Sequence, residues 1–289
     1  VGDPDMCREK KEELVRAMAC AIGPITNYIA GPDMGTDETA MAWVKDEIGR
    51  SVGLPRVLGG IPLDELGATG FGLTVAADVA KDRIGLDLKG ARVAVQGFGS
   101  VGKHAARFLA EKGAILVAAA DSRGTVHDGD GLDVAELIRI KNHGRHVTDL
   151  KAGKKLDRDA IIGVECDIWI PAAQPDVIRK DNVSSVRAKL IVQGANIGVT
   201  HQAEAALHKR DVLCVPDFIS NAGGVICAAV EYQGGSETQA FQTIEERVRR
   251  NTHEVLDRAA ATKTLPRTAA VSMAEERIHK AMETRRWRA

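Results

Sequence analysis

Three glycines lie close together at Gly97, Gly99 and Gly102, directly after the apolar run Val93–Val95. A dinucleotide site needs residues without a Cβ at this spacing. The first makes a tight turn, the second lets a pyrophosphate approach the backbone, and the third lets a helix pack closely on a strand. The N-terminus of the following helix attracts phosphate through its unpaired N–H groups and partial positive charge. The sequence therefore predicts a phosphate site, with these candidate contacts: Gly97, Phe98, Gly99, Ser100, Val101 and Gly102.

A strand, a helix and a second strand must hold this turn in place. Gly113 ends a helix with one apolar face, and the run Ile115–Ala120 is typical of a parallel strand buried on both sides. Asp121 closes that strand 19 residues after Gly102, where a carboxylate accepts hydrogen bonds from the adenosine ribose. The order of these elements predicts a nucleotide-binding βαβ unit. The alternative is a purely structural glycine turn, with Asp121 as a cap.

The ribose end of this unit bears on the choice of cofactor. A carboxylate at Asp121 repels the additional phosphate of NADP, so the sequence favours NAD as cofactor. Arg123 lies two residues further on and offers a partner for a 2′-phosphate, although a solvated loop arginine is the simpler interpretation. NADP, or use of both cofactors, stays open.

Composition and charge narrow the class of protein. The 289 residues carry 39 Lys and Arg against 40 Asp and Glu, and 44% of them are hydrophobic. This balance gives no basic field for nucleic acid, and no apolar run is long enough to cross a bilayer. Five cysteines without a CxxC spacing predict neither disulfides nor a metal site, and we expect reduced core residues in a cytoplasmic protein.

Three further apolar runs predict additional strands at Asp167–Ile170, Lys189–Gln193 and Val212–Val215, each followed by a loop of small or polar residues. This layout is typical of an α/β fold with a Rossmann-type, doubly wound parallel sheet, in which ligands bind beyond the carboxyl ends of the strands. The loops after these strands are therefore candidate site walls.

Helical patterns flank this region on both sides. An amphipathic helix ends at Gly23, and Thr36 is predicted to cap a second helix whose first turn contains Asp37. A loop over Val52–Gly72 then leads to a helix over Leu73–Lys81. Two long helices are predicted in the C-terminal part, with Pro266 between them.

Taken in order, six segments resemble the Glu/Leu/Phe/Val dehydrogenase family: Gly31–Thr36, Ala68–Gly70, Gln96–Gly102, Pro171–Ala173, Gly194–Asn196 and Pro216–Val225. The resemblance covers essentially the whole chain. It implies reversible oxidative deamination, in which an L-amino acid and NAD(P) give a 2-oxo acid, ammonia and NAD(P)H. It also implies a homo-oligomer.

The resemblance assigns roles to individual residues. Asp33 looks like the carboxylate that moves protons to and from the amino group, although an Asx turn before the second helix is the structural alternative. Thr69 resembles the contact to the nicotinamide carboxamide, and Asn196 and Asn221 match asparagines beside the nicotinamide and its ribose. Loop capping is the alternative for these three. The adjacent pair Ala172–Ala173 resembles small residues that let the cofactor pass the strand end.

Three positions depart from the family pattern. Phe71 stands where an arginine is usual, and Asp176 matches a common asparagine. Ala228 stands where glutamate-specific members carry a serine that holds the side-chain carboxylate of the substrate. Without that hydroxyl, an apolar amino acid fits as well as glutamate, so the substrate stays open.

The resemblance also implies an arrangement of domains. Residues 1–65 are expected to form part of a substrate domain, residues 66–229 the Rossmann domain, and residues 230–289 helices that return towards the substrate domain. The family's catalytic and substrate-binding lysines are expected upstream of Val1. Two alternatives to a complete enzyme follow: a fragment of a longer dehydrogenase, or an NAD-binding remnant or regulatory subunit that pairs with an intact homologue. A Rossmann oxidoreductase acting on a hydroxy acid fits the motifs less well.

Overall fold

The computed structural model describes residues 6–33 and 35–285. The described residues form two compact units. The first lies within residues 1–68 and 223–244, and the second within residues 69–222 and 245–289.

The helices, in chain order, are α1 (Arg8–Ile22), α2 (Glu38–Ile48), α3 (Leu63–Leu66), α4 (Ala68–Ala80), α5 (Ser100–Glu111), α6 (Val134–Asn142), α7 (His201–His208), α8 (Asp217–Ser220), α9 (Gly223–Tyr232), α10 (Glu237–Thr262) and α11 (Pro266–Met282). The strands are β1 (Arg92–Gln96), β2 (Ile115–Asp121), β3 (Gly124–His127), β4 (Lys154–Leu156), β5 (Ile168–Pro171), β6 (Leu190–Val192) and β7 (Leu213–Val215).

The second unit contains a seven-stranded sheet in the order β4-β3-β2-β1-β5-β6-β7. The five strands β1, β2, β5, β6 and β7 pair in parallel, as the sequence predicts. The predicted Rossmann-type α/β fold is thus confirmed. The strands β3 and β4 add an antiparallel edge that the sequence analysis missed, because strands of four and three residues leave no long apolar run.

The core of the second unit surrounds the central strands. Trp169 of β5 is buried, and its indole N–H donates a 3.2 Å hydrogen bond to the carbonyl oxygen of Ile161. Burial raises the pKa of the Cys166 thiol to about 12 and keeps this side chain neutral. The prediction that all five cysteines lie in the core is wrong for two of them, since Cys7 and Cys20 are exposed at α1.

The first unit begins with α1 packed on α2 through a small apolar cluster that includes Val15, Ala19 and Val44. Arg50 closes the C-terminal end of α1, because its guanidinium donates to the carbonyl oxygens of four residues: Ile22, Gly23, Ile25 and Tyr28. These bonds fix the last residue of α1 and the turn that follows it.

Two predicted helix starts need correction. Asp37, not Thr36, caps α2, since its carboxylate accepts a 2.9 Å hydrogen bond from the N–H of Ala40. The helix α4 begins at Ala68, five residues before the predicted start, so Thr69 lies in a first helical turn rather than in a loop. At the C-terminal end, Pro266 occupies the first turn of α11, where a missing N–H costs no hydrogen bond.

Among the described helices, none combines the length and the apolar character that crossing a membrane requires.

Candidate functional site

The turn after β1 is fixed to the end of β2. The backbone N–H groups of Gly97 and Phe98 both donate 2.9 Å hydrogen bonds to the carbonyl oxygen of Ala120. Gly97 has a φ of 93°, and a Cβ there would lie 2.7 Å from backbone atoms of both Ala172 and Ala173. Glycine is therefore required at this position both by its conformation and by the close approach of the loop after β5.

Gly102 brings α5 onto this turn. A Cβ at Gly102 would lie 1.9 Å from the carbonyl oxygen of Gly97, a distance that no side chain tolerates. Gly99, in contrast, has no atom within 4 Å of its Cβ position. It is the N-cap of α5, and no side chain caps that end, whereas α2, α6 and α7 are capped by side chains. The start of α5 is thus open, as a phosphate site requires.

A cavity of about 330 Å³ lies over this turn. Its walls are the turn itself, the end of β2, the loop after β5 and two cationic side chains: Gln96, Gly97, Phe98, Gly99, Ala120, Asp121, Ser122, Lys141, Arg158, Ala172, Ala173 and Gln174. The structure therefore brings together six of the predicted cofactor contacts. The Cβ-free turn, the open helix start and the carboxylate fit a dinucleotide cofactor.

Asp121 is the carboxylate of this cavity, and its side chain is only 7% exposed. Its Oδ2 accepts hydrogen bonds of 2.8 Å from Lys141 Nζ and 2.9 Å from the N–H of Val147, and its Oδ1 accepts one of 3.0 Å from the N–H of Arg123. Burial opposes ionisation, but these three donors outweigh it and lower the pKa of Asp121. The group is thus a carboxylate at neutral pH with acceptor capacity left on Oδ1.

The predicted nicotinamide residues of the sheet lie after β6 and β7. Asn221 Nδ2 donates a 2.7 Å hydrogen bond to Asn196 Oδ1 and a 3.3 Å bond to the carbonyl oxygen of Gly194. The two neighbouring parallel strands thus bring together two asparagines that are 25 residues apart in the chain. Each keeps further donor or acceptor capacity for a ligand.

Thr69 is partly buried in the first turn of α4. The next residue, Gly70, fixes the position of this turn, because a Cβ there would lie 2.6 Å from the backbone nitrogen of Ala105 in α5. The departure Phe71 contributes to the same packing. Its ring meets that of Phe108 in α5 edge to face, with 5.2 Å between the ring centroids.

Asp33 lies in the first unit, within a turn closed by Thr36. The N–H of Asp33 donates to Thr36 Oγ1, and that hydroxyl and the N–H of Thr36 both donate to the carbonyl oxygen of Asp33, all at 2.9 Å. The residue Asp33 is exposed. Met34, in the middle of this segment, lies outside the described residues.

Ala228 is partly buried on α9. One turn further along this helix, the carboxylate of Glu231 accepts hydrogen bonds of 2.9 and 3.1 Å from the N–H groups of Gly53 and Leu54. Gly53 has a φ of 69°, and a Cβ there would lie 2.5 Å from the ring of Pro32. Glu231 thus anchors the segment that packs against the residue before Asp33.

Comparison with known proteins identifies the family. The family model described as Glutamate/Leucine/Phenylalanine/Valine dehydrogenase matches residues 59–286. The chain belongs to this family. The resemblance found in the sequence motifs is therefore confirmed.

Curated proteins with similar sequences support this family assignment. The chain is 36% identical to the NADP(+)-dependent glutamate dehydrogenase of Pyrobaculum calidifontis, over 98% of this chain and 72% of that protein. It is 33% identical to the cryptic catabolic NAD-specific glutamate dehydrogenase of Bacillus subtilis, over 99% of this chain and 71% of that protein. The chain spans about two thirds of the length of the curated relatives it matches.

A solved structure extends the match to the fold. The hetero-hexameric glutamate dehydrogenase from Thermus thermophilus, in its Leu-bound form, superposes with a TM-score of 0.90 at 30% identity. The match covers 100% of this chain and 73% of that one.

Sequence reasoning missed two cations in this cavity. Lys141 comes from the C-terminal part of α6, and Arg158 follows β4, with its carbonyl oxygen held by the hydroxyl of Thr125 at 2.9 Å. Neither residue belongs to a local motif. The fold of residues 122–158 places them there, and the only signal in the sequence is the positive charge itself.

Proposed function

We propose that the chain serves the NAD(P)-dependent, reversible oxidative deamination of an L-amino acid to a 2-oxo acid and ammonia. The observation that carries this proposal is the cavity between Gly97, Asp121 and Ala172, over the uncapped start of α5. Its shape and its charges fit a dinucleotide. Such a cofactor, when bound, accepts a hydride from the Cα of the amino acid and returns it in the reverse direction.

We assign each part of the cofactor to a set of the residues described above. The pyrophosphate contacts residues 97–102, with Ser100 and Val101 in the first turn of α5. Oδ1 of Asp121 accepts a hydrogen bond from the adenosine ribose. Thr69 contacts the nicotinamide carboxamide, while Asn196 and Asn221 hold the nicotinamide and its ribose with uncharged donors and acceptors that do not disturb hydride transfer.

For the choice of cofactor, the proposal favours NAD. The support is the buried, ionised carboxylate of Asp121 at the ribose end of the cavity. Lys141 weakens that preference, because its ammonium group lies 2.8 Å from the same carboxylate and reduces the repulsion of a 2′-phosphate. Use of NADP as a second cofactor is therefore part of the proposal.

Asp33 is proposed as the group that transfers protons during imine formation and hydrolysis. An ammonium group must lose a proton before hydride leaves its carbon, and a carboxylate within hydrogen-bond reach takes that proton. The support is an exposed carboxylate whose backbone is fixed on both sides by Thr36.

The substrate is proposed to be glutamate or an apolar amino acid. The curated relatives are named glutamate dehydrogenases, which favours glutamate. Ala228 lacks the hydroxyl that would hold the side-chain carboxylate of glutamate, which favours an apolar substrate. We also propose that residues 66–229 form the cofactor-binding domain, and that residues 1–65 and 230–289 contribute to the substrate-binding domain.

A homo-oligomer is proposed as the working form. The Thermus thermophilus relative is described as a hetero-hexamer, which supports assembly and makes a second type of chain the competing arrangement. Native mass spectrometry of the purified protein distinguishes the two, because a homo-oligomer contains one chain mass only.

Two measurements on the protein as its own gene encodes it test the proposed function. NADH binding is followed by nicotinamide fluorescence, and deamination is assayed with glutamate, leucine, phenylalanine and valine. We expect NADH binding and turnover of at least one of these amino acids. Absence of both contradicts the proposal. NADH binding without any turnover supports the alternative of a regulatory subunit.

The role of Asp33 is tested separately. We expect Asp33→Asn to lower turnover by about a hundredfold or more, with NADH affinity unchanged, because the amide cannot accept the proton. Asp46→Asn is the control, since Asp46 is an exposed carboxylate of α2 that pairs only at the surface with Arg16. Retention of turnover in Asp33→Asn would show that this assignment is wrong.

A further inference from the structure

Three charged side chains form a buried cluster in the second unit. Arg267 of α11 donates from Nε to both carboxylate oxygens of Glu204 in α7, at 2.9 and 2.8 Å. Its Nη1 lies 2.8 Å from Oδ1 of Asp217 in α8. The side chains of Arg267, Glu204 and Asp217 are only 11%, 4% and 7% exposed. Two carboxylates so deeply buried require this cation, because an unpaired charge is costly in the interior.

The Glu204 side of this cluster reaches the loop after β6. Oε1 of Glu204 accepts a 2.8 Å hydrogen bond from the side-chain amide of Gln193. The side-chain oxygen of Gln193 in turn accepts a 3.1 Å hydrogen bond from the N–H of Val199. The backbone carbonyl oxygen of Gln193 accepts a 2.7 Å hydrogen bond from the hydroxyl of Ser220. One glutamine thus ties the end of β6 to both loops that hold the asparagine pair.

The Asp217 side reaches the same loop directly. Oδ2 of Asp217 accepts a 2.7 Å hydrogen bond from the N–H of Ile197. Ile197 has a φ of 54°, in the left-handed region that a β-branched residue rarely adopts. The residue is 52% exposed, so burial of its side chain compensates for only part of the strain. The bond from Asp217 is therefore one of the interactions that hold Ile197 in this conformation.

Ile197 follows Asn196 directly, and Asn221 follows the short helix that begins at Asp217. The 2.7 Å bond between the two asparagines joins these two loops at their exposed ends. The buried cluster therefore supports the asparagine pair through two contacts. Asp217 binds the N–H of Ile197, next to Asn196, and Gln193 joins Glu204 to the end of β6.

We propose that Arg267 is a positioning residue for the nicotinamide end of the cofactor. Its guanidinium holds the side chains of Glu204 and Asp217 in place, and these two residues hold residues 194–199 in the strained conformation that presents Asn196 and Asn221. The proposal rests on the proposed function, because that function assigns the asparagine pair to the nicotinamide.

The first experiment needs no cofactor. Arg267→Gln removes the charge, and amide hydrogen exchange is measured by mass spectrometry. We expect exchange in residues 194–199 to become at least about tenfold faster, with no change in residues 97–102. Arg277→Gln is the matched control, because Arg277 lies on the same helix and pairs with Glu254 at 2.7 Å near the surface. The proposal is overturned if exchange becomes faster throughout the unit, or if the exchange rate of residues 194–199 does not increase.

The second experiment compares two ligands. NADH contains the nicotinamide and its ribose, and ADP lacks both. We expect Arg267→Gln to raise the Kd for NADH about tenfold and the Kd for ADP less than about twofold. A purely structural role weakens both ligands equally and overturns the proposal. If the natural protein binds neither ligand, the proposed function fails and this inference fails with it, whatever the exchange data show.

Two further variants complete the test. Asparagine adopts the left-handed conformation more readily than isoleucine does. Ile197→Asn, added to Arg267→Gln, should therefore restore part of the NADH affinity. Absence of any recovery contradicts the part played by strain. If Arg267→Gln does not fold, Asp217→Ala replaces it, since alanine removes the acceptor of the Ile197 N–H. The same split between NADH and ADP is then expected, and equal weakening again overturns the proposal.

Discussion

Lys141 donates a 2.8 Å hydrogen bond to the carboxylate of Asp121 in the wall of the candidate cofactor cavity. The two side chains are 20% and 7% exposed, so water screens the pair only weakly. The sequence motif contains Asp121 alone and therefore predicts that this carboxylate repels a 2′-phosphate. The fold pairs that acid with a cation, so the charge at this position is a property of two residues that are 20 positions apart.

Removal of the cation should therefore sharpen the choice of cofactor. In Lys141→Met, Asp121 keeps its charge but loses its counter-ion, and we expect the Kd for NADPH to rise about tenfold while that for NADH changes less than about threefold. Fluorescence titration with both nucleotides measures the ratio. Lys103→Met is the control, because Lys103 pairs with Asn142 and not with Asp121. Equal weakening of the two nucleotides would show that Lys141 acts on fold stability and not on cofactor choice.

Asp121 should also contribute to stability in a way that depends on pH. Its pKa is lowered in the folded state, so its contribution is fully present above its ordinary pKa of about 4 and is lost as the pH falls through the lower folded value. We expect Asp121→Ala to lower the free energy of unfolding by about 2 kcal/mol at pH 7, with a smaller difference at about pH 3. Urea unfolding at both pH values measures this. A difference that stays constant between them contradicts the assignment.

The second-unit fold follows from the sequence because its signals are local. Apolar runs of three to six residues mark the five parallel strands, and Gly97, Gly99 and Gly102 mark the turn. The short strands β3 and β4 carry no such run, and they become strands because β3 pairs with β2 and β4 pairs with β3.

The partners of the site residues could not be predicted in the same way. Asp121 is visible as the acid after a strand, but its contacts Lys141 and Val147 depend on how residues 122–147 fold back. Thr36 and Asp37 both suit a helix cap, and the choice between them depends on which one the turn at Asp33 uses. Local chemistry suggests the candidates, and tertiary contacts select among them.

The two glycines of the turn should respond differently to alanine. Gly99→Ala has an allowed φ of −88° and open space, so stability should change by less than about 0.5 kcal/mol, while the new Cβ occupies space needed by the pyrophosphate and lowers NADH affinity about tenfold or more. Gly102→Ala should cost about 3 kcal/mol, because its Cβ meets the carbonyl oxygen of Gly97.

Thermal unfolding and NADH titration of both variants check this pair of predictions. Gly129→Ala is the control, since its Cβ would come no nearer than 3.9 Å to another residue. If Gly99→Ala binds NADH as well as the natural protein does, then the start of α5 does not hold the pyrophosphate.

Substrate choice should respond to a single hydroxyl on α9. In Ala228→Ser, the new hydroxyl offers a hydrogen bond to the side-chain carboxylate of glutamate, and we expect kcat/KM for glutamate to rise about threefold to tenfold relative to leucine. Ala229→Ser is the control, because Ala229 is exposed at the next position of the helix. An unchanged ratio would remove Ala228 from the substrate side of the proposal.

Glu231 should affect turnover through the loop beside Asp33. Its two carboxylate oxygens accept hydrogen bonds from the N–H groups of Gly53 and Leu54, so Glu231→Gln places an amide N–H against one of two donors. We expect a loss of about 1–3 kcal/mol in the stability of the first unit, because one backbone N–H loses its acceptor. Since Gly53 packs on Pro32, we also expect kcat to fall severalfold with NADH affinity unchanged.

The matched control for this prediction is Glu237→Gln. Glu237 pairs with Arg56 in the same unit, but its side chain is 37% exposed, so its loss should cost less than about 1 kcal/mol and leave kcat as it is. Urea unfolding, NADH titration and steady-state kinetics on both variants separate the two effects. If Glu231→Gln destabilises the protein but leaves kcat unchanged, the loop over Gly53 and Leu54 does not position Asp33.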